Sequence, residues 1–409
     1  MEENTSLIGA MEEAGLSQGE LAEAVNSRLR ANGHEGTITD RTVRYWLTGK
    51  TRWPHRRQRE ALEGVFGVCA ETLGFRPPRG NRTKPESPVD RRRFLTSSAA
   101  AVVRPSRVGT SDVIRLRSGL DTLMALDDTR GGHDGLEQDA LAGASEALGK
   151  LPHAASQRIR QRLFSIAADY TATAAWSTLD ARNLTRTDQH LNRALYLAGM
   201  AQDSVAELRV WNSFAMLAHQ RRQHSEAVDA GYAAQTTGIT RRDSLFASLA
   251  HARTAIGHSD RQDRQAAIRS LGHAHEALAK AVDRPRPSWI AFYGPAELAA
   301  ITAIVRDRIG DAVQAEAASH QALAGIPMRF RRNRAFATTR LALAQLHQRD
   351  IETACFTAST ALELMQDDPL PGRMRTLLGD FYRDLISLAP GAETAREWGD
   401  RYRSEWRRL

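Results

Sequence analysis

The 409-residue chain contains little cysteine and no long apolar run. Its two cysteines, Cys69 and Cys355, lie far apart and fit no metal-ligand spacing. This scarcity predicts a reducing compartment, two buried apolar cysteines, and neither a disulfide framework nor a metal site. No stretch approaches the roughly 20 uninterrupted apolar residues that cross a bilayer, and residues 1–4 are acidic rather than signal-like. We therefore expect a cytoplasmic protein.

The sequence also lacks the short motifs that carry catalytic chemistry. It has no Walker loop, no Rossmann glycine fingerprint after a strand, and no His-Glu-x-x-His motif. The glycine-rich segment 131–135 contains no lysine, so it is interpreted as a loop between helices. We expect no enzymatic activity, no catalytic residue, no cofactor and no bound metal.

Positive charge is concentrated in the first quarter of the chain. The whole chain has 56 basic and 48 acidic residues, a net charge of +8, and its pI is about 9.9. Residues 28–59 contain nine basic and two acidic residues, and residues 76–107 contain the same numbers. This surplus permits binding to a polyanion, but a solvated surface is the simpler reading of any single charge run.

Four helices are predicted in the N-terminal domain. The first covers residues 6–14 and ends at Gly15, a typical C-cap. Ser17 and Glu20 form a capping box that begins the second helix. A fourth helix follows Pro54.

The third helix has the character of a recognition helix. Thr39 is a suitable N-cap, the helix runs to about Leu47, and Val43, Trp46 and Leu47 are predicted to face inward. The residues left facing outward are Asp40, Arg41, Thr42, Arg44 and Tyr45. Arginine makes bidentate contacts with guanine, and threonine can contact a thymine methyl group or a phosphate, so this face suits the major groove.

These segments resemble the helix-turn-helix of the XRE family, the phage-repressor type. The residues that carry the resemblance are Leu16-Ser17-Gln18, Leu21-Ala22, Thr39 to Trp46, Gly49-Lys50 and Pro54. In that family a glutamine at the start of helix two holds a phosphate, and the start of helix three reads bases. The resemblance implies a DNA-binding surface formed by Gln18, Asp40, Arg41, Thr42, Arg44, Tyr45, Lys50 and Arg52. A helical bundle used for protein contacts is the alternative.

The chain departs from the family between helices two and three. Residues 26–38 exceed the family's tight turn, and they include Arg28 and Arg30. The open interpretations are a longer second helix, a longer loop whose arginines reach the DNA backbone, and a surface insertion that makes no contact with DNA.

A tether is predicted to follow this domain, because residues 74–88 are rich in glycine, proline and arginine and poor in apolar residues. Residues 90–103 look like a twin-arginine export signal, but they follow a complete domain and their apolar run is short. We therefore expect them to begin the next domain. The predicted domains are 1–76, a linker at 77–110, and 111–409.

The remainder of the chain is alanine-rich and repetitive. Ala227, Ala267, Ala315 and Ala354 are separated by 40, 48 and 39 residues. Alanine recurs twelve positions before each of them and seven positions after each. Small residues at fixed spacing allow helices to approach closely in stacked hairpins. With Trp211 sixteen positions before Ala227, the pattern resembles tetratricopeptide (TPR) repeats, so the predicted fold is all-α: a helix-turn-helix bundle followed by an α-solenoid of helical hairpins.

The resemblance extends to peptide-sensing regulators that join such repeats to an XRE domain. It implies an effector site on the concave face, for which the candidates are Arg209, Asn212, His219, Gln220, Arg308 and His347. Asp307 and Thr339 are predicted to face the same side. Near the end of the chain, Trp398, Tyr402 and Trp406 form one aromatic stripe. The stripe is interpreted as a cover for the final repeat or as a dimer surface.

We therefore predict a homodimeric, sequence-specific regulator that binds double-stranded DNA and responds to a peptide or small-molecule effector. Two half-sites are the usual route to useful specificity for so small a DNA-binding module. The alternative is a TPR interaction scaffold with an adaptor N-terminal domain.

Overall fold

The protein is all-helical. The structure, a computed structural model, describes residues 3–31, 34–66, 68–77, 108–130, 135–366, 370 and 372–407. These residues form eighteen α-helices and, among them, no β-strand. The predicted fold class is confirmed. None of the helices in the described ranges is both long and apolar enough to span a membrane.

The chain divides into two compact units. The first contains residues 1–118 and 149–163, and the second contains residues 119–148 and 164–409. The predicted domain boundaries remain predictions, and most of the predicted linker lies outside the described residues.

The first unit is built on four short helices. They are α1 (Thr5–Glu13), α2 (Gln18–Ala31), α3 (Asp40–Leu47) and α4 (Arg56–Phe66). The Ser17 amide and hydroxyl both donate to Glu20, at 2.9 and 2.7 Å, and the Glu20 amide donates back to Ser17 Oγ at 3.4 Å, so the predicted capping box is present. Gly15 ends α1 with φ +59°, a conformation that glycine adopts without strain. Leu7, Leu21 and Leu62 are fully buried in the shared core.

The extra residues between α2 and α3 lengthen α2 and then form a loop that hydrogen bonds hold against it. Helix α2 continues to Ala31, and the Asn26 side chain then bonds to both backbone groups of Ile38, at 2.7 and 2.8 Å. These two bonds place Thr39, the residue before α3, at the N-cap position. Arg28 lies over Gly64 of α4, so its guanidinium packs within the unit. The extra residues therefore fix where the third helix begins.

The second unit is a series of helical hairpins. Its helices, with α5 and α7 extending into it from the first unit, are α5 (Thr110–Arg130), α6 (Leu136–Gly149), α7 (Gln157–Asp180), α8 (Leu184–Ala201), α9 (Ser204–Gln220), α10 (His224–Thr236), α11 (Ser244–Asp260), α12 (Arg264–Ala279), α13 (Pro295–Arg308), α14 (Ala312–Gly325), α15 (Arg331–His347), α16 (Ile351–Leu364), α17 (Gly372–Leu388) and α18 (Glu393–Arg407). Consecutive helices from α8 to α16 pair, as do α17 and α18, and α9, α11, α13, α15 and α17 also pack on one another in sequence. These first helices of the hairpins form one layer of the array.

The predicted alanine register is confirmed. All twelve alanines of the pattern are buried, none of them more than 4% exposed. Helices α10 and α11 approach closely, since a Cβ added at Gly257 would lie 2.9 Å from the backbone nitrogen of Val228. Small residues therefore permit the stacking that the spacing predicted.

The hairpin turns share one local design. A residue with left-handed backbone ends the first helix, as at Arg182, Arg222, Gln262 and Arg349, with φ between 59° and 69°. The following residue is the N-cap of the second helix, and Asp263 accepts a hydrogen bond there from the Ala266 amide at 3.0 Å. One residue thus reverses the chain and the next begins the return helix.

One expectation about cysteine is wrong. Cys355 is buried, and burial raises the pKa of its thiol to about 11. Cys69 is exposed instead, because it lies after α4 in a surface turn, with its Sγ 3.1 Å from the Thr72 hydroxyl.

The aromatic stripe packs on its own unit as far as it is described. Trp398 is buried against Phe381 of α17, with ring centroids 4.8 Å apart, and Tyr402 stacks on Tyr382 at 5.0 Å. The side chain of Trp406 lies outside the described residues, as does most of segment 131–135.

Candidate functional site

Helix α3 separates a buried face from a basic one. Val43 and Trp46 are fully buried in the first unit, and Trp46 contacts Phe75 edge-on at 6.5 Å. Arg41 and Arg44 are exposed on the same eight-residue helix. The core therefore fixes the orientation of the helix while the arginines face away from it.

Two of the basic side chains contact Tyr45. The Arg41 Nε donates to the Tyr45 hydroxyl at 2.9 Å, and the Lys50 ammonium lies 4.4 Å from the centre of the ring. The hydrogen bond from Arg41 is the main cause that lowers the pKa of Tyr45. The structure thus brings Arg41, Tyr45 and Lys50 together, and one ring orders two cations.

The other predicted DNA contacts lie around this cluster. Gln18 is half-buried at the first position of α2, and Asp40 lies against Gly19 of the same helix. Thr42 contacts the N-cap residue of α3, since its hydroxyl lies 3.2 Å from that of Thr39. Arg52 is exposed. With Arg41, Arg44, Lys50 and Arg52 against Asp40, the eight candidates have a net charge of four minus one, or +3.

Sequence reasoning missed two arginines beside the start of α2. Glu20 pairs with Arg158 at 2.8 Å and Arg162 at 3.6 Å, and both belong to the same compact unit. Burial raises the pKa of Glu20, but hydrogen bonds from Ser17 and the two arginine charges outweigh it and lower the pKa overall. No local sequence signal links residues so far apart in the chain.

In the second unit, Arg209 is buried and hydrogen-bonded to residues of the neighbouring helix α7. It is 7% exposed and donates to the Asp169 carboxylate at 3.1 Å and to the Thr173 hydroxyl at 2.8 Å. Asn212 is also buried and accepts a hydrogen bond from Arg253 Nε at 2.7 Å. Gln220 donates to the Leu179 carbonyl at 3.3 Å. These three candidates hold neighbouring first helices together.

The remaining effector candidates form a ladder across the ends of the first helices. His219 Nδ1 lies 2.7 Å from Asp260, and Arg308 contacts both Asp260, at 2.8 Å, and His219 Nε2, at 3.1 Å. Because arginine can only donate, His219 Nε2 accepts, and the ring is neutral with its proton on Nδ1. Burial, followed by the Arg308 charge, lowers the pKa of His219 accordingly.

His347 continues the ladder, but its contacts favour the protonated ring, whereas those of His219 favour the neutral ring. Its Nδ1 lies 2.6 Å from Asp307 and its Nε2 lies 3.4 Å from Asp384. The hydrogen bond to Asp307 is the main cause that raises the pKa of His347. Five first helices, from α9 to α17, therefore meet through histidine, aspartate and arginine side chains.

Sequence reasoning also missed three partners of the effector candidates, Asp169, Arg253 and Asp260. Together with Asp307, which was predicted to face the same side, they carry the other half of each contact. The paired residues lie 40 or 41 positions apart: Asp169 and Arg209, Asn212 and Arg253, His219 and Asp260, Asp307 and His347. Complementary polar residues one repeat apart are a signal that the sequence carried.

Comparisons with known proteins cover parts of the chain. A family model described as the SP15 N-terminal domain matches residues 7–72, within the first unit. No curated protein matches the sequence. Among solved structures, the chain is similar to a TPR repeats protein from Bacteroides fragilis, with 14% identity over 58% of this chain and 98% of that chain, at a TM-score of 0.21. The fold assignment rests on the helices of this chain.

Proposed function

We propose that the chain is a sequence-specific DNA-binding transcription regulator that reads the major groove with α3. The observation that carries the proposal is the division of α3 into a fully buried Val43–Trp46 face and an exposed face with Arg41 and Arg44. A helix held rigidly by its core can present two guanidinium groups to base edges at a fixed angle. Gln18, at the start of α2, would hold a phosphate beside it.

The repeat unit is proposed to carry the regulatory input. A homodimer would place two α3 helices on two half-sites, and a peptide or small-molecule effector would act on the layer of first helices. There the candidates His219, Arg308 and His347 are already bonded to acidic partners. An effector would therefore exchange these internal bonds for its own.

Substitution by lysine separates base reading from simple charge. Arg41→Lys and Arg44→Lys keep the positive charge but lose the bidentate geometry. We expect each lysine variant to lose roughly 5- to 150-fold in preference for operator over random duplex, the range for one bidentate pair. Affinity for random duplex should stay near that of the unaltered chain. The double variant Arg41→Ala/Arg44→Ala should lose both.

The readout is genomic footprinting followed by titration of the recovered fragments. An unchanged footprint for Arg41→Ala/Arg44→Ala would remove α3 from the DNA site. Failure of the unaltered chain to retain any fragment would favour the interaction scaffold, with the N-terminal unit as an adaptor for protein.

A further inference from the structure

A cavity of about 430 Å³ lies between α8, α9 and α10. Two half-buried aromatic side chains, Trp211 and Phe214, line it with ring centroids 5.4 Å apart. Small side chains at Ala218, Ala230 and Ala233 make up much of the remaining wall. The cavity exists because these alanines leave the aromatic pair partly uncovered.

This cavity faces away from the proposed effector residues. At 100° per residue, Trp211, Phe214 and Ala218 share one side of α9, and Arg209 and Asn212 project from the opposite side. The cavity is thus a separate feature of the hairpin.

Its polar lining is acidic in a basic protein. Asp188, Glu226 and Asp229 contribute three carboxylates and Arg221 one positive charge, a net charge of −2, whereas the whole chain is +8. Arg221 lies 3.6 Å from Asp188. Asp229 is exposed and has no hydrogen-bond or ion-pair partner among the described residues. Two of the three carboxylates are therefore not neutralised by a neighbouring cation.

One buried acceptor in the lining lacks a donor. Gln223 donates its amide N–H to Glu226 at 2.9 Å, but its Oε1 is buried without a hydrogen-bond partner in the described structure. A buried acceptor without a partner is unfavourable. Gln223 thus has an acceptor beside the cavity that no donor in the described structure satisfies.

The other hairpins show that stacking does not require these residues. With the spacings of 40, 48 and 39, the positions of Trp211 and Phe214 correspond to His251 and Thr254, Ala299 and Thr302, and Thr338 and Leu341. The positions of Glu226 and Asp229 correspond to Ala266 and Arg269, Gln314 and Ala317, and Thr353 and Phe356. Neither the aromatic pair nor the carboxylate pair recurs, so both are special to the α9–α10 hairpin.

We propose that this cavity binds an organic cation that carries N–H groups on an aliphatic stem, either an alkylammonium or a guanidinium. Aromatic faces attract such cations, Glu226 and Asp229 neutralise their charge, and Gln223 Oε1 accepts one of their hydrogens. The alanine wall packs against the stem. A lysine or arginine side chain of a peptide and a free aliphatic amine share this chemistry. The proposal is independent of DNA binding.

Calorimetric titration of the full chain tests the site. The probes are Nα-acetyl-lysine amide, Nα-acetyl-arginine amide and cadaverine, with Nα-acetyl-norleucine amide as the uncharged analogue. We expect saturable binding of at least one cation and none of norleucine amide. Tighter binding of the amino-acid amides would identify a peptide side chain as the natural occupant, and tighter binding of cadaverine would identify a free amine.

Two variants and one matched control locate the binding. Asp229→Asn should weaken it about tenfold by removing a charged acceptor, and Trp211→Leu about fivefold by removing a cation–π contact. Glu276→Gln removes one exposed negative charge from α12 and should leave binding unchanged. Equal weakening by Glu276→Gln and Asp229→Asn, equal binding of norleucine amide, or no binding up to about 10 mM would overturn the proposal. Because Asp229 is exposed, its variant keeps the test valid even if Trp211→Leu disturbs folding.

Discussion

The two units of this protein use charge in opposite ways. On α3 of the first unit, Arg41 and Arg44 lie exposed beside an apolar core. In the repeat unit, Arg209 is buried and is matched with Asp169 from the preceding repeat. Exposed arginines cost the fold little and remain available to an external polyanion. Buried ion pairs stabilise the fold itself, because removing one partner leaves the other charge buried with neither water nor a counter-charge.

The largest expected effect contrasts these two kinds of arginine. Asp169→Ala leaves the Arg209 guanidinium buried without its carboxylate, so we expect a loss of about 3–5 kcal/mol in the free energy of unfolding. Arg44→Ala, on the exposed face of α3, should change it by less than about 0.5 kcal/mol. Urea denaturation followed by circular dichroism measures both. Similar losses in the two variants would remove the distinction between the units.

The next effect tests whether close helix approach, rather than charge alone, holds the repeats together. Gly257→Ala would place its Cβ 2.9 Å from the Val228 nitrogen, so we expect a loss of about 1–3 kcal/mol from overpacking. Gly272→Ala in α12 is the matched control, because no atom lies within 4 Å of its new Cβ. The control should gain about 0.5–1 kcal/mol from helix propensity. A stable Gly257→Ala variant would contradict the stacking described for α10 and α11.

A smaller effect concerns the ladder and depends on pH. Asp307 and Asp384 face His347, and the pKa of His347 is raised. Its contribution is therefore fully present below the unfolded pKa of about 6.5 and is lost as pH rises through the higher folded value. His347→Gln should destabilise the chain more at about pH 5.5 than at about pH 8.5. Thermal unfolding at the two pH values measures this, and equal destabilisation at both would show that the histidine is uncharged in the ladder.

The smallest effect lies at a hairpin turn. Arg222 has φ 60° between α9 and α10, which costs a non-glycine residue roughly 1–2 kcal/mol. Arg222→Gly should relieve this strain, and after the entropy cost of glycine the gain is up to about 1 kcal/mol. A clear loss of stability in thermal unfolding would mean that the arginine side chain, not the turn geometry, matters there.

The helical repeats could be predicted from the sequence because they depend on local spacing. One alanine register sufficed to place twelve buried positions and four hairpins. Val43 and Trp46 were predicted inward for the same reason, since the periodicity of one helix decides it. Local rules thus recover helices, caps and buried faces.

The parts that the sequence did not reveal depend on contacts between distant residues. Glu20 meets Arg158 across more than a hundred positions, and Asn26 fixes the return to Ile38 from within α2. The partners of the effector candidates lie one repeat away in the sequence. That spacing can be recognised only when polar and charged residues, and not small residues alone, are compared between repeats. Cys69 was placed wrongly because composition says nothing about which turn reaches the surface.

The central claim is that the exposed basic face of α3 binds duplex DNA, and fluorescence anisotropy with a labelled genomic operator tests it most directly. We expect tight binding at about 50 mM salt, with the logarithm of the affinity falling linearly as the logarithm of salt concentration rises. Arg44→Ala should weaken the operator complex more than it weakens random duplex. Absence of any duplex binding at low salt, or an affinity that salt does not change, would contradict the account.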